Sequence, residues 1–111
     1  MTSKYKNKTV SYDGIMFDSK HEAKRYRELI LLLKCGKIKA LELQKKFVLQ
    51  PSYKKNGKSI REISYVADFV YFDTERNKVV VEDAKGYRTE VYKLKKKMFE
   101  YVYPELTIEE V

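Results

Sequence analysis

A chain of 111 residues with 43% hydrophobic residues is one domain with a single core, too apolar for a disordered tail. No segment approaches the roughly 20 consecutive apolar residues of a membrane span, and the polar start Met1-Thr2-Ser3-Lys4-Tyr5-Lys6-Asn7-Lys8 lacks the apolar heart of a signal peptide. Lys and Arg number 24 against 16 Asp and Glu, and the net charge of +8 favours a polyanionic partner. That charge does not separate DNA from RNA or from an acidic membrane, and a solvated surface is its plainest explanation.

Val10-Ser11-Tyr12 and Ile15-Met16-Phe17 flank Asp13-Gly14, a two-residue hairpin signal. A helix starts near Asp18 or Ser19, carries the apolar stripe Ala23, Tyr26, Leu29, Ile30 and Leu33, and stops at Gly36. Cys35, at that helix end, has no second cysteine to pair with and is expected as a small buried residue, which fits a reducing cytoplasm. Leu41 to Gln50 follows, with Phe47-Val48-Leu49 as a strand that Pro51 ends. Asn56-Gly57 marks a second turn inside the basic stretch Lys54-Lys55-Asn56-Gly57-Lys58. A strand from about Ile60 to Phe72, a polar turn at Thr74 to Asn77 and a strand from Lys78 to Lys85 come next. Thr89 caps a second helix that runs to about Tyr103 and is closed by Pro104, and Leu106 to Val111 forms a short last strand. The order, hairpin-α-β-β-β-α-β, is that of an α/β domain with a mixed β-sheet flanked by two helices.

Two strands carry acids where apolar residues belong. Tyr65-Val66-Ala67-Asp68-Phe69-Val70-Tyr71-Phe72 and Val79-Val80-Val81-Glu82-Asp83-Ala84-Lys85-Gly86 are otherwise β-branched and aromatic. A charge inside such a strand is costly unless something compensates it. Strand alternation puts Asp83 and Lys85 on one face and sends Glu82 to the other with Val80 and Ala84. Asp68 then meets Asp83 and Lys85 across neighbouring strands. Two carboxylates on adjacent strands offer hard oxygen ligands for Mg²⁺, which can position water and relieve charge during phosphodiester hydrolysis. Lys85 beside two carboxylates is favoured in its protonated form, so it suits holding a water or transition-state charge better than acting as a free base. The duller alternatives are a salt-bridged edge Asp68 and an Asp83–Lys85 pair.

In the second helix, Val91, Leu94, Met98 and Val102 fall on one side as core, and Lys93, Lys96 and Lys97 point roughly opposite, towards water or phosphates. Lys95 sits beside the apolar stripe, where it either snorkels or reaches towards the acids. Arg88 and the turn residues Lys54, Lys55 and Lys58 are further candidates for phosphate contact. His21 is expected as an exposed residue of the first helical turn, there being no second His for a ligand pair. Of the ten tyrosines, most belong to core or interface, with one or two left to stack on unpaired bases.

Together Asp68, Asp83 and Lys85, with the element order, resemble the PD-(D/E)xK nucleases, the restriction-endonuclease-like fold. More narrowly, Phe17-Asp18-Ser19-Lys20-His21-Glu22-Ala23, Tyr65-Val66-Ala67-Asp68-Phe69 and Val81-Glu82-Asp83-Ala84-Lys85-Gly86 resemble a phage-borne family of small proteins catalogued as a domain of unknown function and described as similar to Holliday-junction resolvases. The resemblance covers nearly the whole chain. The family proline before the first Asp is Ala67 here, a departure that leaves the metal site plausible. The resemblance implies a restriction-endonuclease-like core, an Mg²⁺-dependent endonuclease with Mn²⁺ as substitute, and branched DNA as substrate. It implies Glu22, Asp68 and Asp83 as metal ligands, with Lys85 on the water. It also implies a homodimer, since symmetric cutting of two strands needs two sites. Glu22 has a second explanation, because Ser19-x-x-Glu22 is a capping box. Two other functional classes fit the same residues: a nucleic-acid-binding protein with a degenerate pocket, and a phage module that docks on a host protein.

Overall fold

A computed structural model describes residues 9–84 and 88–111. Its elements in chain order are β1 (Val10–Tyr12), β2 (Ile15–Phe17), α1 (Lys20–Lys34), β3 (Ile38–Gln50), β4 (Tyr53–Lys55), β5 (Lys58–Ile60), β6 (Ile63–Asp73), β7 (Lys78–Asp83), α2 (Glu90–Val102) and β8 (Ile108–Glu110). Four strands form one mixed sheet in the order β3-β6-β7-β8; β3/β6 and β6/β7 are antiparallel and β7/β8 is parallel. β1–β2 and β4–β5 are separate hairpins. Both turn on two residues of positive φ, Asp13 (54°) with Gly14 (73°) and Asn56 (51°) with Gly57 (77°), the torsions that match the twist of a tight hairpin. Strand pairing on either side of Asn56-Gly57 extends the expected turn into a hairpin of its own.

The helices cover opposite faces of the sheet. Val80 belongs to a core with Phe17, Ala23, Tyr26 and Leu29 under α1, while its neighbour Val81 belongs to a core with Tyr92 and Phe99 under α2. Along β6 this alternation breaks once. Tyr65 and Ala67 lie in the α2 core, yet Phe69 and Tyr71, of the same parity, lie in the α1 core. β3 does the same: Leu41 and Leu43 pack towards α1, Phe47 and Leu49 towards α2. The register runs unshifted through Leu43↔Phe69 and Lys45↔Ala67, so both strands change face together at Gln44 and Asp68. Gln44 accommodates the change with φ of 53°.

Three expectations are corrected here. The buried face of α2 is Tyr92 and Phe99, whereas Val91, Leu94 and Val102 are exposed and Met98 is half-buried. Aromatic area decides this: Phe99 meets Phe47 edge-on with centroids 5.1 Å apart, and also touches Tyr65 and Tyr103. Leu33 of α1 is likewise at the surface, and Cys35, the residue capping that helix, is exposed rather than buried. Among the described residues no helix is long and apolar enough to cross a membrane.

Glu82 points into the α1 core, as parity requires, and is fully buried. Arg25 of α1 meets it twice, Nε to Oε1 at 2.8 Å and Nη2 to Oε2 at 2.6 Å, and the Tyr71 hydroxyl donates to Oε2. The Glu82 hydrogen bond raises the Arg25 pKa, and burial followed by the same carboxylate raises that of Tyr71. Glu82 is thus a structural acid that locks α1 to β7. Removing Arg25 leaves a buried charge without its counterion, so Arg25→Ala is expected to cost about 3 kcal/mol. Urea denaturation checks this, and adding Glu82→Gln to the same variant is expected to recover part of the loss.

Candidate functional site

Three further acids are buried near the place where β3 and β6 change face. Glu22, Asp68 and Asp83 are 4%, 3% and 0% exposed. Ser19 caps α1, its Oγ accepting from Glu22 N at 3.2 Å. The reciprocal half of a capping box is altered, because Glu22 Oε1 accepts from Asp18 N at 3.2 Å. One carboxylate oxygen therefore ties the helix start, and the other turns to the sheet. There Gln44 Nε2 donates to Glu22 Oε2 at 3.1 Å and approaches Asp68 Oδ1 at 3.4 Å. The remaining oxygen of Asp68 accepts from Ala84 N at 2.8 Å, which fixes the end of β7 beside it.

Asp83 faces the α2 side. Tyr65 donates to its Oδ2 at 2.6 Å. Burial, then Asp83, holds the Tyr65 hydroxyl well above its ordinary pKa, and Asp68 adds to the effect. Glu22 is raised from 4.5 to about 7, by burial first and by the neighbouring Asp68 charge second. Asp18 adds to this, and the hydrogen bond from its backbone opposes it. A cavity of about 290 Å³, lined by residues 15–18 with Glu22, Leu43 and Gln44, opens onto Glu22 and Gln44.

The structure thus brings Glu22 and Asp68 together through Gln44 and ties Asp68 to the Ala84 amide, while the Asp83 side chain is held by Tyr65. Among the described residues it does not gather three His, Cys, Asp or Glu side chains into one ready-made metal-holding group. Lys85 lies outside the described residues. The acids offer only oxygen atoms, the ligand type of a hard divalent ion, and such an ion would relieve the Asp68 repulsion that adds to burial in raising Glu22.

The basic residues fall into two groups. Lys54, Lys55 and Lys58 are exposed on the β4–β5 hairpin, and Lys93 and Lys97 are exposed on α2. Arg88 and Lys96 converge instead on Glu110, at 3.0 and 3.2 Å, where the Tyr92 hydroxyl also donates. That hydroxyl, with Lys96 and Arg88 behind it, holds Glu110 below its ordinary pKa. Lys95 is half-buried at the core edge. His21 is exposed and meets the Val111 carbonyl at 2.7 Å. Gln44, Tyr65 and Arg25 were not singled out by sequence. Gln44 occupies a polar position in an alternating strand and gives no signal. Tyr65 looks like any core tyrosine.

A family model described as "Protein of unknown function (DUF1064)" matches residues 2–111. No curated protein and no solved structure matches the chain.

A raised carboxylate pKa fixes the sign of a pH effect. The folded protein holds the Glu22 proton between pH 4.5 and about 7 while the unfolded chain releases it, so metal-free stability falls as pH rises through that window. Glu22→Gln removes the dependence. Without divalent ions it is expected to gain on the order of 1 kcal/mol over the wild type between pH 5 and pH 8, read from urea midpoints at the two pH values.

Proposed function

The chain belongs to the DUF1064 family, and we propose that it is an Mg²⁺-dependent DNA endonuclease built on a restriction-endonuclease-like core. The observation that carries the reading is the Glu22–Gln44–Asp68 bridge, with Asp68 anchored on the amide that follows Asp83. It joins acids of α1 and β6 at the sheet's change of face and ties Asp68 to the backbone directly after Asp83 of β7. The fold order supports the finer fold assignment: one helix, three antiparallel strands, a second helix and a parallel fourth strand.

On this reading Glu22, Asp68 and Asp83 hold the ion, with Mn²⁺ as a substitute. Bound there, the ion supplies an activated water and relief of charge on the phosphate oxygens. Asp68 takes the Ala84 amide and so keeps the acid-bearing end of β7 in register with β6. Tyr65 fixes the rotamer of Asp83 from the α2 side. Lys85 is assigned the attacking water and the developing charge. Lys54, Lys55 and Lys58 track the DNA backbone together with Lys93 and Lys97. Arg88 and Lys96 brace β8 through Glu110. Branched DNA is the proposed substrate, and the host cytoplasm of a phage-encoded protein is the proposed setting.

Two cuts on a branched molecule call for two copies. Val91, Leu94, Met98 and Tyr101 are spaced three, four and three residues apart along α2, the spacing of a helix–helix seam. Val91, Leu94 and Tyr101 are 63%, 59% and 87% exposed. Glu90 and Lys95 flank this line with opposite charges, which suits pairing with a second copy.

The chemistry is tested with four-way-junction, duplex and single-stranded DNA under Mg²⁺ titration. Cleavage of the junction is expected, with loss under EDTA and a drop of roughly 100-fold in Asp68→Ala and Asp83→Ala, DNA binding being kept. Activity that survives EDTA or both substitutions overturns the site. Salt-sensitive binding with no cleavage in Mg²⁺ or Mn²⁺ favours a binding protein instead. For the dimer, sedimentation of the wild type is expected at twice the 13.3 kDa chain mass, with Leu94→Glu monomeric. A wild type that sediments as a monomer overturns the pairing.

A further inference from the structure

Gln44 has a backbone conformation that its own side chain does not favour. A φ of 53° crowds the Cβ of any residue but glycine, and such positions persist where the surroundings enforce them. The bulge in β3 does not account for it, since the register shifts lie between Lys39 and Glu42 and between Val48 and Gln50. Glycine would suit this backbone better, so a glutamine here is explained by its amide. That amide stands between two buried carboxylates, its nitrogen 3.1 Å from Glu22 Oε2 and 3.4 Å from Asp68 Oδ1. Glu22 and Asp68 also meet each other directly, and the two N–H groups of Gln44 set partial positive charge against both. They occupy the place that suits a cation. Gln44 also lines the cavity at residues 15–18, which opens onto Glu22 as well.

We propose that Gln44 is a cation ligand, its NH₂ group bridging Glu22 and Asp68 in the ion-free protein and its carbonyl oxygen turning to the ion once one enters. Half a turn about the last side-chain bond exchanges nitrogen for oxygen without moving the backbone. The exchange gives the site a neutral, hard oxygen donor from β3 beside the carboxylates of α1 and β6, the donor type that Mg²⁺ and Mn²⁺ accept. Gln44 thereby changes from a donor to both acids to a member of the ion's shell. This inference rests on the proposed cation site and adds a ligand that the acid-x-Lys pattern does not contain.

The test is Mn²⁺ binding to the full chain, read by the electron paramagnetic resonance signal of free Mn²⁺, with no DNA present. Gln44→Gly keeps the positive φ and removes the amide; Gln44→Glu keeps an oxygen donor at the same reach. Thermal melts report folding of both. Weakening of Mn²⁺ binding by about tenfold or more in Gln44→Gly, with binding kept or tightened in Gln44→Glu, supports the proposal. Binding in Gln44→Gly equal to the wild type overturns it and leaves the acidic cation site standing. A wild type that takes up no Mn²⁺ overturns the cation site itself, and this inference with it.

Discussion

Four carboxylates buried in a small α/β domain have to be compensated one by one, and the way each is compensated organises the structure. Glu82 is answered by a charge and a hydroxyl: Arg25 from α1 reaches it twice, and Tyr71 closes the third side. Such a pair returns little net stability compared with apolar packing, but it fixes the helix to one place on the sheet. Glu22 sits one turn earlier on the same helix and is treated in the opposite way. Its neighbours are an amide and another acid, and it stays protonated to near neutrality. One helix therefore carries a closed electrostatic account at Arg25 and an open one at Glu22. A strongly perturbed acid that lines a cavity, as Glu22 does, is a candidate for a working site.

The change of face in β3 and β6 is what makes the open site possible. A regular pair of strands would bury one parity under α1 along its whole length and the other under α2. Here the long strands serve both cores in turn, Leu43 and Phe69 under α1, Phe47 and Tyr65 under α2. Gln44 and Asp68 lie at the crossing. From there Asp68 is reached by Glu22 from one helix and touches the end of β7, where Asp83 hangs towards the other helix. The same twist explains why the three acids do not form a ready-made triad: Asp83 is held by Tyr65 on the far side.

Much of this was legible in the sequence because it depends on local rules. Asp13-Gly14 and Asn56-Gly57 gave their turns through positive φ, Ser19 and Thr89 their helix starts through capping oxygens, and Gly36 the end of α1. The parity of β7 placed Glu82 with Val80 and Ala84 correctly. What failed were inferences that need tertiary context. Helical spacing alone marked Val91, Leu94 and Val102 as core. A helix whose apolar arc is wide can bury either side of it, and the larger rings of Tyr92 and Phe99 fill the space above Phe47 and Tyr65. The face change is invisible to alternation, because Leu41, Leu43, Phe47 and Leu49 keep one parity throughout. Gln44 was silent for the same reason: a polar residue at a polar position.

Charge gives the last constraint. The surface is strongly basic, with the exposed lysines of the β4–β5 hairpin and of α2 presented to solvent, while acids crowd the interior at the sheet crossing. A polyanion drawn to the first would be repelled by the second at short range. The two are compatible when a small cation stands between phosphate and carboxylate, accepting oxygens from both. The protonated Glu22 and the bridging Gln44 amide are what the protein itself offers in that place, one by removing a negative charge and the other by presenting N–H groups. Both yield readily: a proton near neutrality leaves at little cost, and an amide turns about a single bond. On the proposed reading the site is therefore held closed only weakly, and the ion that opens it also makes room for the phosphate.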